Sequence, residues 1–413
     1  MHLHISWRNV WRNPKRTGII LTAIIIGAWT MLVFGGLSRG MMASTLSNAL
    51  NTLTGHIQVQ SPAYRDDPVI ENQIDNPAEL GKLLDTTLPG DARWAFRIQV
   101  GGVASNARNA EGITIVGIDP DREPGLSFYG DSLAQGRHLT PDDGHGIVVG
   151  QALVESFETR LGRKLVLMTQ DADRETASRA FKIRGIFRAD MEATEKQYVF
   201  ITLDAARKLL GVETAVTGAC IKLSRGSSRN PVDLADLDRT VRALSEKLSP
   251  GLAVLSWEQL LPLLKGYLAM FDSFMLLWYL VVFLAMAFGL VNTMLMAVLE
   301  RTREFGLLKA LGMKPVWIIR NVLAECVILL AIGLAAGNLL GIGTVLAFGS
   351  GIDMSFMAQG SEFFGMGHLV VPFLTARDIL AVNAVIMLLG LLVCLYPAVK
   401  AGRITPVEAM ART

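Results

Sequence analysis

The sequence predicts a membrane α-helical protein: four transmembrane helices plus a large extracytoplasmic α+β domain between the first two. Three observations carry this. The chain is 51% hydrophobic and only 18% charged over 413 residues, and the apolar excess is gathered into runs. Four runs reach the roughly 20 residues that cross a bilayer. Between the first and second runs, residues 38–272 alternate strand-like and helix-like patterns.

The balance of charge and the missing motifs narrow the function classes. A net charge of +2 gives no electrostatic footprint for nucleic acid. Cys326 and Cys394 fall in apolar runs and Cys220 does not, so neither a disulfide framework nor a metal-ligand spacing is visible. Gly306 to Lys314 has the wrong spacing for a phosphate loop, and neither a His-Glu-x-x-His nor a Gly-x-Ser-x-Gly motif occurs. The chain is expected not to be an enzyme by itself, and no catalytic, cofactor-binding or metal residue is assigned.

Residues 1–16 place Leu3, Trp7, Val10 and Trp11 on one side of a helix beside Arg8 and Arg12, which predicts an amphipathic helix in the inner interface. The first span, 17–37, is uncharged and too long for a signal peptide, so it reads as an uncleaved anchor. Its helix is expected to project outward through Ser38–Thr54 and to end at Gly55. Strands are predicted at His56–Gln60, Phe96–Ala104 and Gly112–Ile118, with a helix at Pro77–Leu88.

From 120 to 202 the pattern changes to short strands and turns. Gly146–Val149, Lys164–Thr169, Ala180–Phe187 and Tyr198–Ile201 are the strands, and Gln151–Leu161 is a helix. Mixed helices and strands return with a helix at Leu203–Leu210, a strand at Ala219–Leu223, and a helix capped by Asn230 and Pro231 with the stripe Leu234, Leu237, Val241, Leu244 and Leu248. After a strand at Gly251–Leu255, the helix from Trp257 is expected to run unbroken into the second span, 273–299. Residues 38–119 and 203–272 thus form one α+β part that 120–202 interrupts.

The third span is placed at 317–349 and the fourth at 376–398, whose apolar core is Ile379–Ala398. Gly333, Gly337 and Gly341 make a ridge that lets another helix approach closely. Glu325 is the intramembrane ionisable residue, with Arg320 nearby as its expected partner. Asn292 and Thr293 read as interhelical hydrogen-bond partners.

Basic residues orient the chain. Arg8, Arg12, Lys15 and Arg16 precede the first span, Arg301, Arg303, Lys309 and Lys314 follow the second, and Lys400, Arg403 and Arg412 lie in the tail, 399–413. The loop 350–375 has Asp353 and Glu362 but no Lys or Arg. This predicts both termini in the cytoplasm.

The stretch 300–316 lies between two spans and begins ERTREFGLLKALGMKP. It reads as a short helix in which Arg301, Glu304, Phe305, Leu308 and Leu311 share a face, with Gly312 as cap and Pro315 as stop. The pattern leaves two readings open: a docking element for a cytoplasmic partner, or a helix lying on headgroups.

This stretch, with the four spans, resembles the FtsX/MacB-type (type VII) ABC transporter permeases. SWRNVWRNPKRTGIILTAIIIG and the ending YPAVKAGRITPVEAMART resemble the same family, with Met410 and Ala411 departing from its Leu-Arg pattern. GHIQV, VGIDPDREP and IRGIFRADMEATEKQYVFITLDAARKLLG are similar to the lipoprotein-releasing LolC/LolE branch. The resemblance implies a porter-like domain interrupted by a sabre-like part at 120–202. It implies that Glu300, Arg301, Arg303, Glu304, Phe305, Leu308, Lys309 and Leu311 form a coupling helix for a separate cytoplasmic ABC ATPase, itself a dimer that binds ATP and Mg. It further implies a second permease copy or paralogue, a bacterial inner-membrane location, and a periplasmic carrier, adaptor or substrate protein. The implied activity is ATP-driven extraction or export of lipoproteins or another amphiphile. The alternatives are activation of a cell-wall hydrolase and export of peptide, haem or antibiotic.

Overall fold

The computed structural model describes residues 7–74, 76–223, 234–354 and 369–405. It forms two compact units. One comprises Met1–Met41, Tyr267–Ile352 and Val370–Thr413, and the other Met42–Gly266 with Asp353–Leu369. The expected cap at Asn230 and Pro231 and the C-terminal PVEAMART lie outside the described residues.

The first unit holds most of four apolar helices, which span Pro14–Thr54, Pro262–Glu300, Pro315–Ala347 and Ala376–Arg403; residues 42–54 and 262–266 of them fall in the second unit. Their starts are dictated locally. Lys314 is extended and Pro315 opens the third helix, where its missing N–H costs nothing. Thr375 and Asp378 close a capping box on the fourth. Ile24, Ala28 and Leu32 of the first helix, Leu290 and Met294 of the second, Val322 and Leu330 of the third and Ile386 of the fourth share one buried core.

The glycine ridge is a site of close helix packing. A Cβ added at Gly333 would lie 2.5 Å from Ile24, at Gly337 2.7 Å from Ala28, and at Gly341 2.9 Å from Leu32. The ridge therefore meets the first helix, and only glycine allows that approach.

Two expectations are corrected in this unit. Cys326 and Cys394 form a disulfide with Cα atoms 6.7 Å apart. Their separation of 68 residues conceals an adjacency that arises only when the third and fourth helices pack side by side. Thr293 donates to the Gly289 carbonyl of its own helix, 2.7 Å away, rather than to another helix, and Asn292 is exposed. Amide hydrogen bonds between helices are instead made by the reciprocal pair Asn338–Asn383 of the third and fourth helices, at 2.9 and 3.3 Å.

The helix from Trp257 also differs from expectation. It stops after Leu260, Leu261 leaves the helical region at φ −123° and ψ 63°, and Pro262 starts a new helix. The proline ring clashes with a helical residue before it, so the break falls where the sequence places Pro262.

The second unit is built on one sheet. Its strands are β1 (Ile57–Gln60), β2 (Arg93–Ser105), β3 (Ala110–Ile118), β4 (Leu133–Gly136), β5 (Gly146–Gly150), β6 (Lys164–Gln170), β7 (Thr176–Phe187), β8 (Tyr198–Thr202), β9 (Gly218–Lys222) and β10 (Ala253–Ser256). They lie in the order β10-β1-β9-β2-β3-β8-β5-β7-β4, with β6 joining β2 to β7. The strands of 120–202 thus continue the ladder of the flanking part, through the parallel pair β3–β8 and the antiparallel pair β2–β6. β1 and β10 are antiparallel, with Ile57 opposite Ser256.

Alternation along these strands buries Val116, Ile118, Val148, Phe187 and Phe200 in one core with Tyr129. The helix expected at Gln151–Leu161 ends at Ser156, because Phe157 is buried and Glu158 turns left-handed at φ 46°. Strand β4 and a short helix at Glu192–Gln197 were not legible, since neither carries a clear period.

One buried ion pair stands out in this core. Arg97 donates to both carboxylate oxygens of Glu123, at 2.7 and 3.1 Å, and to the Leu53 carbonyl at 2.5 Å. Leu53 has φ 135°, rarely populated by a residue with a Cβ, so the guanidinium fixes a strained carbonyl at the end of the first helix. Ser127 donates the remaining bond to Glu123.

Candidate functional site

The site is assembled at one end of the first unit, from the N-terminal turn, the link between the second and third helices, and the base of the third helix. Residues 7–10 are helical, residues 11–13 turn, and Pro14 begins the first membrane helix. Trp7 and Trp11 stack edge to face at 6.0 Å, and each is about half exposed. Leu3 lies outside the described residues.

The linking helix spans Thr302–Ala310. Arg301 interrupts the second helix at φ −102° and ψ 15°, and the Thr302 hydroxyl donates back to the Leu299 carbonyl at 2.8 Å. At its far end Gly312, at φ 91°, donates to Lys309 and Met313 donates to Leu308. This bond pair is the Schellman arrangement, so Gly312 caps the helix as the sequence requires.

A chain of polar contacts ties the three elements together. Arg301 reaches both oxygens of Glu325, at 2.8 and 3.0 Å, and both side chains are buried. Asn9 donates to the same carboxylate at 2.9 Å, and Asn321 at 3.4 Å. Arg301 also pairs with Glu304 at 3.1 Å, and Glu304 pairs with Arg12 at 2.6 Å. Arg16 pairs with Glu300 at 3.0 Å. Burial of Glu304 would raise its pKa, but Arg12 and Arg301 outweigh it and hold the carboxyl below the usual range.

The helix therefore has two sides. Phe305 is 2% exposed and lies under the Arg301 guanidinium, 5.2 Å away. Leu308 is half-buried against the same core, and Lys309 donates to the Ile404 carbonyl at 2.8 Å. Arg303 points outward, and so do Leu307 and Leu311, which are 63% and 77% exposed. This corrects the shared face drawn from spacing. Arg301 and Phe305 turn inward, and Leu307 belongs to the outward side. Spacing gives a helix's periodicity but not its phase, and the buried anchor Glu325 sets the phase here.

Glu325 is paired as expected, but with Arg301 rather than Arg320, which stacks 5.0 Å over Trp317. Asn9 was missed altogether, since a polar residue between Arg8 and Val10 carries no signal that it turns inward. Among the described residues, no group of three His, Cys, Asp or Glu is placed to hold a metal.

Two family models match the chain. Residues 276–406 match the FtsX-like permease C-terminal domain, and residues 17–234, more than half of the chain, match the MacB-like periplasmic core domain. The chain belongs to the FtsX/MacB permease family. It is therefore a multi-pass membrane permease of the type VII ABC transporter class.

Its relatives within that family are distant. The lipoprotein-releasing system transmembrane protein LolC of Neisseria meningitidis serogroup B is 21% identical over 319 residues, 74% of either chain. An ABC transporter permease of Methanocaldococcus jannaschii is 24% identical over 285 residues, 68% of this chain and 66% of that one. The macrolide export ATP-binding/permease protein MacB of Burkholderia cenocepacia is 34% identical over 125 residues, which are 30% of this chain but 16% of that protein. The periplasmic region of MacB from Actinobacillus actinomycetemcomitans aligns over 52% of this permease and 95% of that structure, at 11% identity and a TM-score of 0.36.

Proposed function

We propose that this permease is the membrane subunit of an ATP-driven transporter that drives lipoproteins or another amphiphile outward from the outer leaflet of the inner membrane or the periplasm. The observation that carries the reading is the two-sided linking helix. Its inner side is locked to the third helix by Arg301 and buries Phe305, and its outer side presents Arg303, Leu307 and Leu311. An exposed apolar pair beside a cation fits a protein partner better than a bare linker. The partner in this reading is a separate cytoplasmic ABC ATPase, which supplies ATP and Mg. Two ATPases would press on two permease copies.

Two further features support it. The basic residues on both sides of this link support cytoplasmic termini. The outer unit also holds a cavity of about 600 Å³ lined by Val69, Ile70, Val100, Val103 and Met168, with Gly101 and Gly102 on its wall. That volume is typical of a ligand pocket, and its lining suits an apolar chain. The similarity to LolC points to a lipoprotein, and the similarity to MacB to a smaller amphiphile.

The test is copurification of the ATPase, with ATP turnover in the complex reconstituted in membranes. Leu307→Glu with Leu311→Glu should abolish both while leaving the permease folded. Wild-type turnover in that variant would overturn the coupling reading. In the intact complex, release of a lipoprotein but not of a macrolide from the membrane decides the substrate class.

A further inference from the structure

Three separate elements end on one carboxylate. Asn9 of the N-terminal turn, Arg301 at the head of the linking helix and Asn321 one turn before it in the third helix all donate to Glu325. The residue is 5% exposed, and Arg301 engages it with two hydrogen bonds from one nitrogen. Such a pair adds little to stability relative to well-packed apolar side chains, because burying both charges forfeits their hydration. What the site supplies is direction: Arg301, Asn9 and Asn321 converge on one carboxylate, and together they restrict where each element can lie. The same Arg301 covers the Phe305 ring and holds Glu304, which reaches Arg12. Any roll of the linking helix about its axis therefore breaks several contacts at once.

We propose that Glu325 is a positioning residue that fixes the linking helix and the N-terminal turn to the third membrane helix, so that the three move as one body. Force applied to Leu307 and Leu311 then reaches the third helix without being absorbed in the short turn at 311–314 that joins the two helices. The N-terminal turn is part of this body rather than a free helix on the membrane surface. The proposal rests on the reading of the linking helix as the docking element. Its test is read on the permease alone, so its outcome is independent of any ATPase.

Cysteines introduced at Leu307 and Leu339, both exposed, carry spin labels in lipid nanodiscs. Cys220 is buried and Cys326 and Cys394 are bonded, so the introduced pair is labelled selectively. The wild-type chain is expected to give one narrow distance distribution, and Glu325→Gln one at least twofold broader. A second variant, Arg301→Met with Glu325→Leu, fills the same space without charge. It is expected to melt in the wild-type range yet keep the broad distribution, an outcome that a merely structural pair would not produce. A wild-type width in Glu325→Gln, or a narrow distribution in the apolar pair, would falsify the proposal. Loss of ATPase copurification by the wild-type chain would instead sink the transporter reading and leave the widths standing.

Discussion

At the scale of single residues, the buried charges dominate. Arg97 and Glu123 lie at the centre of the outer unit, each almost fully buried. Arg97→Leu leaves the Glu123 carboxylate without its cation and is expected to cost about 3–5 kcal/mol, whereas replacing both by leucine is expected to recover most of that loss. Denaturant unfolding of the two variants checks this. Asp143 gives a pH signature. Arg137 donates two hydrogen bonds to it and holds its pKa down to about 2. A depressed carboxylate pKa contributes stability above the unfolded value of about 3.9, and that stability is lost as the pH falls towards 2. Asp143→Asn is therefore expected to flatten the stability profile between those values, read by hydrogen exchange of residues 137–146. Neither charge pair was legible in the sequence. Arg97 and Glu123 are 26 residues apart, Arg137 and Asp143 are six apart across a turn with no regular period, and an isolated arginine in an outer domain reads as surface. Glu325 was legible because an apolar run makes any carboxylate conspicuous, but its partner was not, since Arg320 is nearer in sequence and Arg301 nearer in space.

At the scale of elements, apolar period and capping residues located most helices and strands. The failures follow from what they omit. Pro262 was passed over inside a strong helical pattern, and β4 has no side-chain alternation to read. The glycine ridge was visible from its four-residue spacing, but the partner that fills it was not. Gly337→Leu is expected to push the third helix from the first and cost about 1–3 kcal/mol, because the Cβ alone would meet Ala28 and the backbone of Ile25. Thermal unfolding in detergent measures it. Gly101 offers the opposite case, since a Cβ there meets nothing within 4 Å. Gly101→Phe is expected to occupy the outer cavity at little cost to stability, and to lower substrate release several-fold while ATP turnover in the complex persists. Unchanged release would remove that cavity from the transport route.

At the scale of the whole molecule, orientation is the property the sequence argued through charge alone. Cys220 is 3% exposed, so its thiol is no use as a topology probe in the folded chain. Arg108→Cys serves instead, because that side chain is 75% exposed in the outer unit. An impermeant thiol reagent is expected to label it in intact spheroplasts and to leave Arg303→Cys untouched until the membrane is opened. The reverse labelling would invert the proposed topology. The fold class and the capped helix between the second and third spans were readable at this scale because membrane length and capping are local rules. The continuity of the outer sheet was not, because pairing of β2 with β6 and of β3 with β8 joins distant segments. One rung of that sheet governs how the outer unit bears load. Ile57, where the chain enters β1, lies opposite Ser256, where it leaves β10. Tension that pulls these two points apart would open the ladder like a zipper, one hydrogen bond at a time. Tension that moves them together meets no such weakness, so this rung holds when its two ends move together and yields when they are pulled apart.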